Sequence, residues 1–134
     1  MPAFNVPDDR KYTKDHEWVC VEGDTATVGV TDFAQGALGE VTYVELPVVG
    51  AVLTPGQEFA VVESLKAASD VYAPVSGTVF AVNDVLEKEP NTVNADPYGG
   101  GWLCKVEGID PADTDRLLSP EQYQELLDSE DAQA

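Results

Sequence analysis

Glu58-Phe59-Ala60-Val61-Val62-Glu63-Ser64-Leu65-Lys66-Ala67-Ala68-Ser69-Asp70-Val71-Tyr72-Ala73 is the stretch on which the fold turns. Its two ends, 58–63 and 70–73, are rich in β-branched and aromatic residues and read as strands, so the interruption between them reads as a hairpin tip with Lys66 on or beside it. Pro55-Gly56 supplies a turn before the first run, and Gly77–Val82, closed by Asn83-Asp84, supplies another strand after the second. Further out, Glu17–Glu22 and Thr25–Val30 are separated by Gly23-Asp24, residues that tolerate the positive φ of a tight hairpin. Glu40–Leu46, stopped by Pro47, and Gly101–Glu107 complete the set. Short strands at this spacing, punctuated by Pro and Gly, predict a mainly β sandwich or barrel.

Helical signals are few and short. Thr31 offers a capping hydroxyl to a helix of one or two turns that ends at Gly36 or Gly39. Asp110-Pro111 opens another turn, and Ser119-Pro120-Glu121-Gln122 is a capping box with Pro at the first helical position. Tyr123, Leu126 and Leu127 then form one apolar stripe for a C-terminal helix to lay on the body. The expected organisation is one domain over 1–134. It comprises an N-terminal extension at 1–11, a β-sandwich core at 12–106, a C-terminal helical segment at 110–129 and a frayed tail at 130–134.

The chain has 134 residues with 7 Lys plus Arg against 25 Asp plus Glu, a formal charge of −18. Nucleic acid and anionic membrane both need clustered cations, so neither is an expected partner. Residues 1–5 lack a basic and apolar leader, which predicts a cytoplasmic protein with Cys20 and Cys104 reduced. Two cysteines and one histidine make no convincing metal site.

The cations are unevenly placed. Between residues 15 and 87 there are 12 acids and one base, Lys66. A lone lysine is ordinarily a solubilising charge, and a buried ion pair with Glu63 or Asp70 is a second option. A chain already solubilised by carboxylates has little need of one cation here, and a hairpin tip is accessible to a modifying enzyme.

Ordered motifs surround this lysine. They are Tyr12-Thr13 with His16-Glu17-Trp18; Val28-Gly29-Val30-Thr31-Asp32 with Leu38-Gly39-Glu40; Val44-Glu45-Leu46-Pro47; and Val62-Glu63-Ser64-Leu65-Lys66-Ala67. Tyr72-Ala73-Pro74 and Asn94-Ala95-Asp96-Pro97-Tyr98 with Gly101-Trp102-Leu103 follow. From about residue 12 to 106 this succession resembles the glycine cleavage system H proteins. The resemblance implies a lipoyl/biotinyl-type β-sandwich, or barrel-sandwich hybrid, with short helices and a C-terminal helix. It implies lipoic acid in amide linkage to Lys66, with Glu63, Ser64 and Ala67 read by a lipoate ligase or lipoyl transferase. Glu17 and Asp70 match positions near the cleft where the loaded arm docks.

The implied function is to carry the aminomethyl group of glycine from a pyridoxal-phosphate glycine decarboxylase to a tetrahydrofolate-dependent aminomethyltransferase. Reoxidation by an FAD-dependent dihydrolipoamide dehydrogenase completes the cycle, and the carrier is expected to be a monomer and not itself an enzyme. Leu65 stands where Val is more usual, and Gly99-Gly100-Gly101 is richer in glycine than the common form.

Other readings are weaker. A lipoyl domain of a 2-oxoacid dehydrogenase complex would carry Asp-Lys-Ala at the lysine and Ala/Pro-rich linkers; a lipoyl donor to other proteins would look the same as the carrier. An enzyme using Lys66 as a Schiff-base nucleophile needs an apolar or cation-rich pocket, the opposite of these acidic surroundings. Cys20, inside a strand, is expected to be a buried, inert thiol, and Trp18 and Trp102 to be packing residues.

Overall fold

The computed structural model describes residues 4–133, with side chains to Ser129. The order of elements is β1 (Lys11–Tyr12), β2 (Glu17–Glu22), β3 (Thr25–Val30), α1 (Asp32–Leu38), β4 (Val41–Glu45), β5 (Val52–Leu53), β6 (Glu58–Ser64) and β7 (Ala68–Tyr72). Then come β8 (Gly77–Val82), α2 (Val85–Lys88), α3 (Thr92–Ala95), β9 (Cys104–Glu107), α4 (Pro111–Asp115) and α5 (Pro120–Gln133). A six-stranded sheet, β1-β2-β3-β9-β8-β5, faces a three-stranded sheet, β4-β6-β7, and all the strand pairs are antiparallel.

Strand alternation builds the core. On β6, Ala60 and Val62 point inward and meet Val30, Val41, Val44, Val71 and Leu103. A second cluster, with Val28, Leu53, Val75, Val79 and Val106, fills the other half of the sandwich. The C-terminal helix lays the expected stripe down: Tyr123 and Leu127 are buried, and the Tyr123 ring stacks on Tyr12 at 4.6 Å between centroids. Its capping box is formed, with Gln122 N–H donating to Ser119 Oγ and Ser119 N–H to Gln122 Oε1. The helix backbone runs on to Gln133, past the point at residue 130 where fraying is expected; Ala134 lies outside the described residues.

Two expectations change in detail. The first helix runs through Gly36 and stops at Gly39, whose φ of 80° suits glycine at a helix end. The strand expected from Gly101 begins only at Cys104, because Asp96-Gly101 is folded as a turn: Gly101 N–H donates to Asp96 O, and a Cβ on Gly101 would fall 2.8 Å from that oxygen. Segment 4–10 packs on the body through Phe4 against Phe33 and Arg10 over the Trp18 ring. The two-residue strands and the single-turn helices α2 and α3 carry too few residues to show a period in the sequence.

Cys20 is half-buried and Cys104 buried, and both thiols are free. Cys20 pairs with Thr27 and Cys104 with Val28, adjacent β3 residues that face opposite sides of the sheet, so the thiols cannot meet. Burial pushes the Cys104 thiol up to about 12.

Trp18 is a keystone of this layer: it is 1 % exposed, and its indole N–H donates to Pro97 O at 2.9 Å. Gly29 lies opposite it, where a Cβ would come within 2.6 Å of the ring. Gly29→Ala is therefore expected to destabilise the protein by about 1–3 kcal/mol, since the indole is hydrogen-bonded and cannot retreat; urea denaturation against the parent protein measures it.

Candidate functional site

Lys66 stands on the tip of the β6–β7 hairpin. Glu63 pairs with Ala68, and Ser64 N–H donates to Ala67 O at 2.7 Å, closing the loop. The Ser64 hydroxyl fastens it further: Oγ accepts from Lys66 N–H at 3.3 Å and Ala67 N–H at 3.2 Å and donates to Ala67 O. Leu65, Lys66 and Ala67 are all exposed, Leu65 to 81 %, so the lysine is not the buried ion pair that the sequence left open.

The neighbouring β4 supports the tip through Val41 opposite Ser64. Asn94 ties that region together: Val41 N–H donates to its Oδ1, and its Nδ2 donates to Gly39 O and Gln35 Oε1. The lysine stem runs beside the end of α1, since a Cβ on Gly39 would lie at ordinary contact distance, 3.6 Å, from Lys66 Cε.

At the other end of β7 a cavity of about 290 Å³ opens, lined among others by Thr13, Glu17, Tyr72, Pro74, Asp113 and Leu118. Glu17 is 2 % exposed. Its Oε1 accepts from the Thr13 hydroxyl at 2.7 Å and its Oε2 from Tyr72 N–H at 3.0 Å. Burial pushes its carboxyl up to about 7, against the opposing pull of those two donors. The cavity wall thus holds an acid that changes charge near neutral pH.

The structure places the two expected arm-docking acids differently. Glu17 is in the cavity wall. Asp70 lies on β7 two residues before Tyr72, exposed, paired with Val61 and outside that lining. Its carboxyl lies against Glu58, whose own carboxyl is held above its ordinary value by that hydrogen bond and by the like charge. Glu63 is half-buried between Tyr43 and Ala68. Sequence reading missed Thr13, Tyr72 and Asp113 as wall residues; Asp113 is 6 % exposed, and no signal in the sequence separates it from the other acids of that segment. Cys20 is less buried than expected. Among the described residues, no helix is long and apolar enough to cross a membrane.

A family model described as glycine cleavage H-protein matches residues 10–130. The chain is 58 % identical to a probable glycine cleavage system H protein of Haloarcula marismortui, over 94 % of this chain and 99 % of that one. It is 57 % identical to the glycine cleavage system H protein of Thermus thermophilus, over 95 % and 99 %. The crystal structure of a glycine cleavage system H protein from Mycobacterium marinum superposes with a TM-score of 0.79 at 39 % identity, covering 88 % of this chain and 95 % of that chain. The expected fold class, a mainly β lipoyl-type sandwich with short helices and a C-terminal helix, agrees with this neighbour.

Glu17 makes stability depend on pH. Its pKa rises from 4.5 to about 7 on folding, so between those values the unfolded chain has lost a proton that the folded one keeps. Its contribution is present below pH 4.5 and lost as pH rises through 7. Over that interval Glu17→Gln is expected to remove a pH-dependent loss on the order of 3 kcal/mol, read as the difference between parent and variant in urea denaturation at pH 5 and pH 8.

Proposed function

The chain belongs to the glycine cleavage H-protein family, and from that premise we propose that Lys66 is the residue bearing its lipoyl group. The protein is the lipoyl carrier of the glycine cleavage system, a carrier component and not itself the catalyst. Lipoic acid is the cofactor, held in this family on a lysine. The observation that carries the assignment is an exposed lysine on a hairpin tip pinned by Ser64, with an open cavity farther along the same strand.

The residues fit such a group. Lys66 is accessible to an acylating enzyme, and the amide removes its charge. From Ala68 to Tyr72 the strand covers about 13 Å, a span within reach of a lysine stem lengthened by an octanoyl-sized chain. When bound, the lipoyl group supplies the dithiol and disulfide chemistry through which the aminomethyl group is accepted and released.

The protein's own part is positioning and shelter. Ser64 keeps the tip rigid; Glu63, Ser64 and Ala67 form the surface that a lipoate ligase or lipoyl transferase reads. The cavity excludes bulk water from a labile aminomethyl group, and ionised Glu17 offers its ammonium a hydrogen-bond acceptor. Asp70, on the exposed course of the strand between tip and cavity, attracts the same cation on its way. We infer a monomer of one domain, working in the cytoplasm. Its partners are the pyridoxal-phosphate glycine decarboxylase, the tetrahydrofolate-dependent aminomethyltransferase and the FAD-dependent dihydrolipoamide dehydrogenase. The charge of −18 favours docking to partners with basic rims.

Intact mass of the protein from its native source is expected to show one lipoyl adduct, absent in Lys66→Ala. With purified glycine decarboxylase, the parent is expected to support exchange of bicarbonate into the glycine carboxyl group and Lys66→Ala to support none. An adduct retained in the variant, or exchange without Lys66, would move the attachment site elsewhere. Glu63→Ala is expected to slow lipoylation in vitro while leaving the fold intact.

A further inference from the structure

The C-terminal segment forms one side of the cavity, though it is remote in sequence from the strand carrying the lysine. Asp113, Arg116, Leu117 and Leu118 line it, facing Pro55, Gly56 and the end of β7. Two attachments hold this segment in place. Leu118 and Tyr12 exchange backbone hydrogen bonds, Leu118 N–H to Tyr12 O at 2.7 Å and Tyr12 N–H to Leu118 O at 2.9 Å. At the other end, Asp113 Oδ2 accepts from Ser76 N–H at 3.0 Å and from the Ser76 hydroxyl, and Asp113 Oδ1 accepts from Arg116 at 3.2 Å.

Asp113 is the third residue of α4. It starts the segment on α4, whose first turn is capped by Asp110 through Ala112 N–H. Through Ser76 it reaches the loop that follows β7, two residues after Pro74, itself a wall residue. The same carboxylate holds the guanidinium of Arg116, the cation of α4's end that borders the cavity. Removing the carboxylate would loosen two walls and leave an unpaired positive charge beside a space meant for an ammonium group.

We propose that Asp113 is a positioning residue for the carrier's arm. By tying α4 to Ser76 it keeps the C-terminal segment seated as the far wall of the cavity and keeps Arg116 paired. This rests on the reading of the cavity as the dock for the loaded arm, and it assigns the protection of the carried group partly to a segment outside the β-sandwich.

The test compares the lipoylated parent with Asp113→Asn, Ser76→Ala and Glu17→Gln. The first readout uses the aminomethyl-loaded proteins without partners: water breaks the aminomethyl–sulfur bond, returning the thiol and releasing formaldehyde and ammonia, and formaldehyde is followed with time. Asp113→Asn is expected to speed this release about five- to tenfold, with Ser76→Ala, which keeps the backbone donor, between it and the parent. The second readout is amide hydrogen exchange of the unlipoylated proteins. Asp113→Asn should expose the Ser76 and Leu118 amides while leaving those of β2 and β3 protected, which separates a loosened wall from a failed fold.

Release accelerated by Glu17→Gln but unchanged in both Asp113→Asn and Ser76→Ala would overturn this inference and leave the cavity reading standing. Release unchanged in all three variants would overturn the cavity reading, and this inference with it. Loss of protection throughout β2 and β3 in Asp113→Asn, with Ser76→Ala indistinguishable from the parent in both readouts, would make Asp113 a general structural residue and also overturn it.

Discussion

A buried carboxylate joins the two sheets of this protein. Glu17 belongs to β2 in the six-stranded sheet, yet its Oε2 takes the N–H of Tyr72 from β7, the edge of the three-stranded sheet. An open edge leaves backbone donors without partners, and burying them unpaired costs free energy comparable to a lost hydrogen bond. The contact satisfies such a donor and ties β7 to the β1–β2 region through Thr13, in the wall of the cavity.

The same contact carries a penalty. An acid at 2 % exposure resists ionisation, and its pKa near 7 expresses that resistance. A fully solvated acid would hold its charge constantly; this one is a poorly hydrated acceptor in the cavity wall. Strain of this kind is tolerated at sites whose use requires it, and the rest of the sandwich, with its interdigitated Val and Leu layers, supplies the stability that offsets it.

Division of labour between the hairpin and the body follows from their surroundings. At the tip, Ser64 satisfies the turn locally, so Leu65 and Lys66 can remain in solvent without loosening β6 and β7. The acids near the tip work at longer range: Glu45, Glu58, Glu63 and Asp70 all lie on β4, β6 and β7, and the repulsion between Glu58 and Asp70 persists on an exposed face where a basic partner would relieve it.

Lys66, the hairpin around it and the antiparallel sandwich were legible in the chain itself, because turn residues, strand alternation and charge scarcity act over a few neighbouring positions. The Ser119 capping box and the Tyr123 and Leu127 stripe were legible for the same reason. Contacts across long sequence separations were not: Glu17 with Tyr72, Asp113 with Ser76 and Asn94 with Gly39 join residues 55, 37 and 55 positions apart. Asp70 and Glu17 looked alike as isolated acids, and only packing made one a solvated edge residue and the other a buried bridge. Local sequence determined where the exposed hairpin lysine stands; the tertiary structure alone decided which residues wall the cavity, because burial and hydrogen-bond partnership are properties of surfaces brought together by the fold.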